Sequence, residues 1–199
     1  PLVAVFALTA ALAGCGGSST PTMMGQGPAS GQGPGGFGGP MMGSAPKDYH
    51  LRGLRCAEPT SLPGTTVHVI LGDMGMTSMM SGDAPLGGHM MLRAVPARVP
   101  AGQVSFEVAN MGWRTHEMVV LPLPDGQAAG QRVPGADGKV DESGSLGEAS
   151  ASCTEGAGEG ITSRSIGWVT LTLPPGSYEL VCNLKNHYAN GMHQQFTVT

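Results

Sequence analysis

The sequence predicts an all-β chain, a sandwich of two sheets, and three observations predict it. Short runs of β-branched and apolar residues recur from residue 65 to the end, several alternating with the period-two pattern of a half-buried strand. Turn chemistry rich in Pro and Gly separates them. No stretch carries an apolar stripe at helical spacing long enough to form an amphipathic helix.

In chain order the predicted strands are Thr65 to Leu71, His89 to Val95 and Gln103 to Ala109, then Thr115 to Leu121, Ile166 to Leu173, Ser177 to Cys182 and Gln194 to Thr199. In the third, Val104, Phe106 and Val108 fall on one face. In the sixth, Tyr178, Leu180 and Cys182 do the same, so the Cys182 sulfur is expected to point into the sandwich. Val99-Pro100-Ala101-Gly102 and Leu173-Pro174-Pro175-Gly176 supply turns. Pro122 to Ser165 has little periodicity and reads as a long acidic loop insertion: Asp125, Asp137, Asp141, Glu142, Glu148, Glu155 and Glu159 stand against Arg132, Lys139 and Arg164. A structureless loop of that length is unusual in a compact domain. Short strands or a helical turn within it are left open; Val140 to Leu146 is too weak a pattern to assign.

The N-terminal part has a different composition. Residues 1–14 form an apolar run ending in small residues, too short to span a bilayer, and are expected to be a secretory signal truncated at its start. Leu12-Ala13-Gly14-Cys15 resembles the bacterial lipoprotein box, which implies cleavage before Cys15 and a lipid on its sulfur. Residues 15–46 are rich in Gly, Pro, Ser and Met and nearly uncharged; such a composition cannot bury enough apolar surface to offset its ordering entropy. The expectation is a disordered tether with an r.m.s. reach of roughly 30 Å, leaving residues 47–199 as the folded domain. The location implied is extracytoplasmic, lipid-anchored at a membrane, in a periplasm or on an outer cell surface.

Charge excludes one class of partner. The net charge is −4 and charged residues make up 12 %, so no basic patch argues for nucleic acid. The Gly-rich tether fits no nucleotide-binding motif, since no strand precedes it and no helix follows. No Ser/His/Asp set suggests hydrolysis, and no small-molecule substrate is expected.

The chemistry is concentrated near the C-terminus. Cys182, His187 and Met192 stand at C-x4-H-x4-M spacing directly behind an apolar strand. A thiolate, an imidazole and a thioether on one short loop are a soft ligand set, and soft sets select copper. A mononuclear site needs a second imidazole, and His116 offers one at the head of another strand. Two His and one Cys in a trigonal plane with a weak axial Met make a blue-copper electron-transfer centre. Zinc is the minor alternative, because structural zinc sites recruit more Cys at closer spacing.

With Asn110-x5-His116, Cys182-x4-His187-x4-Met192 and the closing strand Gln194 to Thr199, the block Thr65 to Thr199 resembles the cupredoxin family. It is most similar to the sulfocyanin-like and plastocyanin/azurin-like single-domain members, and the block covers about two-thirds of the chain. The resemblance implies a Greek-key sandwich holding one type 1 copper, with His116 and His187 as imidazole ligands, Cys182 as the thiolate and Met192 as the axial thioether. It also implies that the edge of His187 reaches the surface through an apolar docking patch, for which Met111, Trp113, Tyr188 and Ala189 lie on the appropriate loops. Asn110, Glu117 and Asn183 occupy positions beside the ligands, where they tune the metal rather than hold it. Relatives commonly carry Asn or Ser where this chain has Glu117, and Ser or Thr where it has Asn183. A carboxylate at 117 could lower the reduction potential or make it pH-dependent.

The function implied is a membrane-anchored carrier of single electrons cycling between Cu(I) and Cu(II), exchanging them with donor and acceptor redox proteins. It is not an enzyme on this reading: copper oxidases need further copper sites built from paired His motifs such as H-x-H, and the chain has none. The alternative is extracytoplasmic copper storage, tolerance or delivery. For that reading Met74, Met76, Met79 and Met80 would form a secondary Cu(I) site, with Met23-Met24 and Met41-Met42 in the tether keeping the idea alive; otherwise the first cluster fills irregular core gaps. His50, His68, His89 and His193 show no partner pattern and read as structural or solvent-facing. Cys56 and Cys153 remain; in an oxidising space they either pair or stay as two free thiols.

Overall fold

Phe106 and Phe196 meet edge to face with ring centroids 5.1 Å apart, and each comes from a different sheet. They anchor the interior of a two-layer β-sandwich in the computed structural model, which describes residues 53–74 and 82–199. Its strands are β1 (Thr65–Met74), β2 (His89–Val95), β3 (Arg98–Val99), β4 (Gly102–Asn110), β5 (Met118–Pro122), β6 (Gly147–Ala149), β7 (Ile166–Leu173), β8 (Gly176–Val181) and β9 (His193–Val198). One sheet has the order β2-β1-β4-β7 and the other β3-β9-β8-β5-β6. Both are mixed: β1 runs parallel to β4 and β3 parallel to β9, while the remaining pairs are antiparallel.

The faces read as inward from the sequence are buried, but the opposite faces of β4 and β8 are largely buried too, and burial alternates cleanly only in β2. Along β2, Met90, Leu92 and Ala94 face inward and His89, Met91, Arg93 and Val95 outward. Val67, Val69 and Leu71 of β1, Val104, Phe106 and Val108 of β4, and Tyr178 and Leu180 of β8 join them in one core, together with Cys182 and Met192. The metal-ligand candidates thus sit at one end of the sandwich interior.

Three features depart from the sequence reading. The predicted strand Thr115 to Leu121 begins only at Met118; His116 forms an isolated bridge with Ile161 instead. Two short edge strands, β3 and β6, have too few residues to show any period. The acidic stretch, read as a loop insertion with short strands left open, holds structure of its own. Besides β6, it sends Val140 onto the outer face of the β3-β9-β8-β5-β6 sheet, where it packs with Val119, Leu121, Val181 and Tyr188 in a second, smaller core. Both faces of β5 are covered, which is why Met118 to Leu121 reads as a continuous apolar run rather than an alternating one.

A charge is locked under this cover. Glu179 of β8 is fully buried and bonds Arg132 Nε at 2.6 Å, the Gly130 N–H at 2.7 Å and the Tyr188 hydroxyl at 2.9 Å. Replacing Arg132 with methionine keeps the packing but leaves the carboxylate without its cation, which should cost about 3 kcal/mol. Urea denaturation of the metal-free protein measures it; a loss below about 1 kcal/mol would show that water already solvates Glu179.

Cys56 and Cys153 are joined as a disulfide, with Cα atoms 5.4 Å apart across 97 residues of sequence. The pairing that the sequence left open is therefore made. It ties the segment before β1 to the acidic insertion, and in the chain-entropy picture a loop of that length removes about 4–5 kcal/mol of denatured-state freedom. The signal segment, Cys15, the tether, His50, Met76, Met79 and Met80 lie outside the described residues.

Candidate metal centre

Asn110, the last residue of β4, explains the first half of the motif. Its side chain is buried and uses all its polar groups: Nδ2 donates to the carbonyls of Arg114 and Ile161, both at 2.7 Å, and Oδ1 accepts the Gly112 N–H at 2.8 Å. The side chain thus replaces the missing strand ladder across the turn of residues 111–115. His116 then emerges pinned by its own backbone, its N–H on the Ile161 carbonyl and its carbonyl on the Ile161 N–H, at 3.1 and 2.7 Å.

The second half closes on itself. Cys182 follows directly after β8, and its N–H donates to the Met192 carbonyl at 3.0 Å. A single 3-10 turn, Tyr188–Asn190, lies between, and Gly191 ends it with φ at 101°, a left-handed conformation that lets the chain turn back. The Met192 N–H completes the closure on the His187 carbonyl at 3.2 Å. Asn190 fixes this loop from outside: its Oδ1 accepts the N–H groups of Gly87 and Gly88, and its Nδ2 donates to the Pro85 carbonyl. Asn186 Nδ2 adds a bond to the Ala84 carbonyl, and Lys185 pairs with Asp83.

The result is a tight convergence of ligand atoms. His116 Nδ1 lies 3.1 Å from His187 Nδ1, and Cys182 Sγ lies 3.3 Å from that same His187 nitrogen. All three ligand atoms fall within 4.8 Å of one another. His116, Cys182 and Met192 are fully buried and His187 is 4 % exposed. The far nitrogen of His116, Nε2, meets Asp73 Oδ1 at 3.0 Å. An ionised carboxylate only accepts hydrogen bonds, so Nε2 carries the proton and Nδ1 keeps its lone pair for the cluster. Burial would raise the Asp73 pKa, but the His116 imidazole and the N–H groups of Arg114 and Trp113 outweigh it and hold the carboxyl below its ordinary value.

Electrostatics in the metal-free chain point the same way. Burial and the neighbouring His116 push the His187 pKa down to about 3, and burial also lowers that of His116. Burial and then the Glu117 charge push the Cys182 thiol up to about 12. Two neutral imidazoles and a buried thiol in mutual contact are a donor set that a soft cation would satisfy. The backbone N–H groups of Glu117 and Leu184 are already aimed at the sulfur, that of Glu117 at 3.3 Å, and favour its anionic form. Nitrogen, nitrogen and thiolate donors with a buried thioether on the same loop suit one type 1 copper. The fold and the donor set fit a type 1 copper cupredoxin.

Solved structures similar to the chain include cupredoxins. Reduced rusticyanin shares 16 % identity over 69 % of this chain and 82 % of its own, with a TM-score of 0.42. Rusticyanin from Thiobacillus ferrooxidans shares 18 % over 68 % and 79 %, with a TM-score of 0.38. Na-dithionite reduced auracyanin from the photosynthetic bacterium Roseiflexus castenholzii shares 17 % over 68 % and 98 %, with a TM-score of 0.40. No family model matches the sequence, and neither does any curated protein. At such scores the likeness carries no argument, and both fold and metal are read from this chain's own strands and donors.

Other residues singled out in the cupredoxin resemblance fall into place or move. Glu117 is nearly buried, and its Oε1 accepts the Asn183 N–H at 3.2 Å. Burial, then Glu148 and Glu142, push its pKa up to about 7. Asn183 does not face the donors with its amide; it clasps the acidic insertion through Val140 N–H, Val140 carbonyl and Glu142 Oε1. Met111, Trp113 and Ala189 are exposed, Trp113 at 69 %. Tyr188 corrects the docking patch: it is 3 % exposed, because its ring fills the second core and its hydroxyl bonds Glu179. Of the four Met proposed as a secondary Cu(I) site only Met74 is described, and it is exposed. His68 pairs with Glu107 at 3.0 Å, and the His193 ring lies against Tyr188. Asp73 was not singled out, because it stands 43 residues before His116 with no pattern linking them.

Because the imidazoles are neutral and the thiol protonated, loading Cu(II) at pH 8 should release about one proton per chain, the one from Cys182. Apparent affinity should then rise about tenfold per pH unit above pH 8 until the thiol itself titrates near 12. Titration calorimetry in buffers of different ionisation enthalpy counts the proton. A release of zero would mean that Cys182 is not a ligand.

Proposed function

We propose that this protein is a blue-copper carrier of single electrons, tethered by a lipid on Cys15 to the extracytoplasmic side of a membrane. The observation that carries it is the convergence of His116 Nδ1, His187 Nδ1 and Cys182 Sγ in a buried cluster. Copper held there would supply one-electron exchange between Cu(I) and Cu(II).

The chain's own contribution is rigidity and access. His116 is pinned through Asn110 and Ile161, and the Cys182–Met192 loop through Asn186 and Asn190, so the donors are set before any metal arrives. Fixed donors cannot relax toward the separate geometries that the two oxidation states prefer, and this favours fast exchange. Burial keeps water from completing a coordination shell. Exposed Trp113, Met111 and Ala189 offer apolar surface on the turns that carry or flank the ligands, suited to transient contact with a donor or acceptor protein. The Cys56–Cys153 disulfide supports an oxidising compartment. Among the described residues no helix is long and apolar enough to cross a membrane; the proposed attachment comes from the lipoprotein box at Cys15.

Visible absorption, EPR and copper stoichiometry of the Cu(II)-loaded chain test the centre. An intense thiolate-to-copper band with narrow hyperfine splitting at one copper per chain is expected. A colourless protein holding several Cu(I) would move the reading to copper storage or delivery. The anchor is tested by Cys15→Ser, which should shift the protein from the membrane to the soluble fraction.

A further inference from the structure

Asp73 occupies the next-to-last position of β1, opposite Met90, and its side chain is 2 % exposed. A carboxylate so far from water is costly unless its charge has partners. Oδ1 has three: the Trp113 N–H at 2.8 Å, the Arg114 N–H at 3.2 Å and His116 Nε2 at 3.0 Å. Oδ2 has no hydrogen-bond partner among the described residues. The whole turn from 112 to 116 is therefore wrapped around one oxygen. Gly112 makes the approach possible, since a side chain there would fall on Asp73 Oδ1 and on His116 Nε2.

Two effects on the metal follow from this geometry. The first is orientation: a carboxylate that only accepts fixes the proton on Nε2, and so fixes which nitrogen of His116 faces the cluster. The second is charge. A negative group bonded to the far side of a ligating imidazole makes the near nitrogen a stronger donor. In dry surroundings a charge at this distance is poorly screened and favours the more positive state of whatever metal the ring holds.

We infer that Asp73 is a positioning residue for the copper centre, orienting His116 and holding the reduction potential down by keeping a buried negative charge on the ring's far nitrogen. The inference rests on the blue-copper reading. It differs from the sequence expectation for Glu117: that carboxylate bonds the Asn183 backbone, whereas Asp73 bonds a ligand directly.

Asp73→Asn tests it, with Asp73→Ser as a second neutral acceptor should the first fail to fold. Both retain an oxygen for the turn's N–H groups and remove the charge. Cu(II) affinity should fall about 10–100-fold, Cu(I) affinity should fall much less, and the potential measured by voltammetry should rise accordingly. In the metal-free protein the His116 Nε2–H proton resonance, far downfield in the native chain from its bond to a carboxylate, should move upfield in the variants. Equal losses of Cu(I) and Cu(II) affinity at an unchanged potential would overturn the inference and leave Asp73 as a brace for the turn alone. A native chain with no thiolate-to-copper band would overturn the blue-copper reading and this inference with it. The proton resonance would still report whether the Asp73–His116 bond exists, so the two failures are distinguishable.

Discussion

Cys182→Ser is expected to abolish the thiolate-to-copper absorption and to lower Cu(II) affinity by orders of magnitude, while the metal-free fold stays within about 1–2 kcal/mol of the native protein. The two parts have separate causes. Optical intensity depends on the covalency of a sulfur–copper bond, which an alcohol oxygen cannot reproduce, and a hydroxyl is far harder to ionise than the thiol. The fold survives because serine is slightly smaller than cysteine and finds ready partners: the Glu117 N–H lies 3.3 Å from the present sulfur, and so does His187 Nδ1. Persistence of the blue band in this variant would refute the ligand assignment. Unfolding of the variant would show instead that the thiol is chiefly a packing element among Leu180, Met192 and their neighbours.

Asn110→Ala should weaken the fold and the metal site together. It strands the carbonyl of Arg114 and the N–H of Gly112 and leaves the Ile161 carbonyl with the His116 N–H alone, and an unsatisfied buried polar group costs about 1–3 kcal/mol. Partial relaxation of the turn should leave a net loss of about 3 kcal/mol or more in urea denaturation. Copper affinity should fall at least tenfold as well, because the turn that Asn110 braces is the one that delivers His116. A loss of stability with unchanged affinity would mean that the Ile161 bridge and Asp73 hold His116 without it.

Which parts of this molecule were readable in advance depends on whether their signal is local. The inward face of Val104, Phe106 and Val108 is a property of neighbouring residues and all three are buried, though Ser105 and Ala109 on the other face are buried too; Met90, Leu92 and Ala94 alternate with exposed neighbours. The C-x4-H-x4-M spacing is local too: one loop, one 3-10 turn and one left-handed glycine bring Cys182, His187 and Met192 back together. Their order behind Asn110 and His116 was enough to expect copper.

Tertiary contacts decided the rest. β3 and β6 exist because longer strands offered them an edge, not because two or three residues prefer the conformation. Tyr188, expected at a docking surface, turns inward because the acidic insertion packs Val140 in a second core with it and sets Arg132 and Gly130 on Glu179, which its hydroxyl also bonds; no periodicity announces this. The disulfide needed Cys56 and Cys153 to approach across 97 residues, a distance relation that spacing does not contain. Asp73 is the sharpest case. In the sequence it is an ordinary acid at the end of an apolar run. Parallel pairing of β1 with β4 sets Leu71 beside Asn110, so the end of β1 comes under the turn that β4 launches. Only then does a carboxylate meet the imidazole of His116. The long strands and the ligand loop are legible from local sequence, because sterics and hydrophobic patterning act between near neighbours. The groups that orient and charge the centre were left to the packing of strands distant in the chain, where hydrogen bonds form only after the fold has brought their partners together.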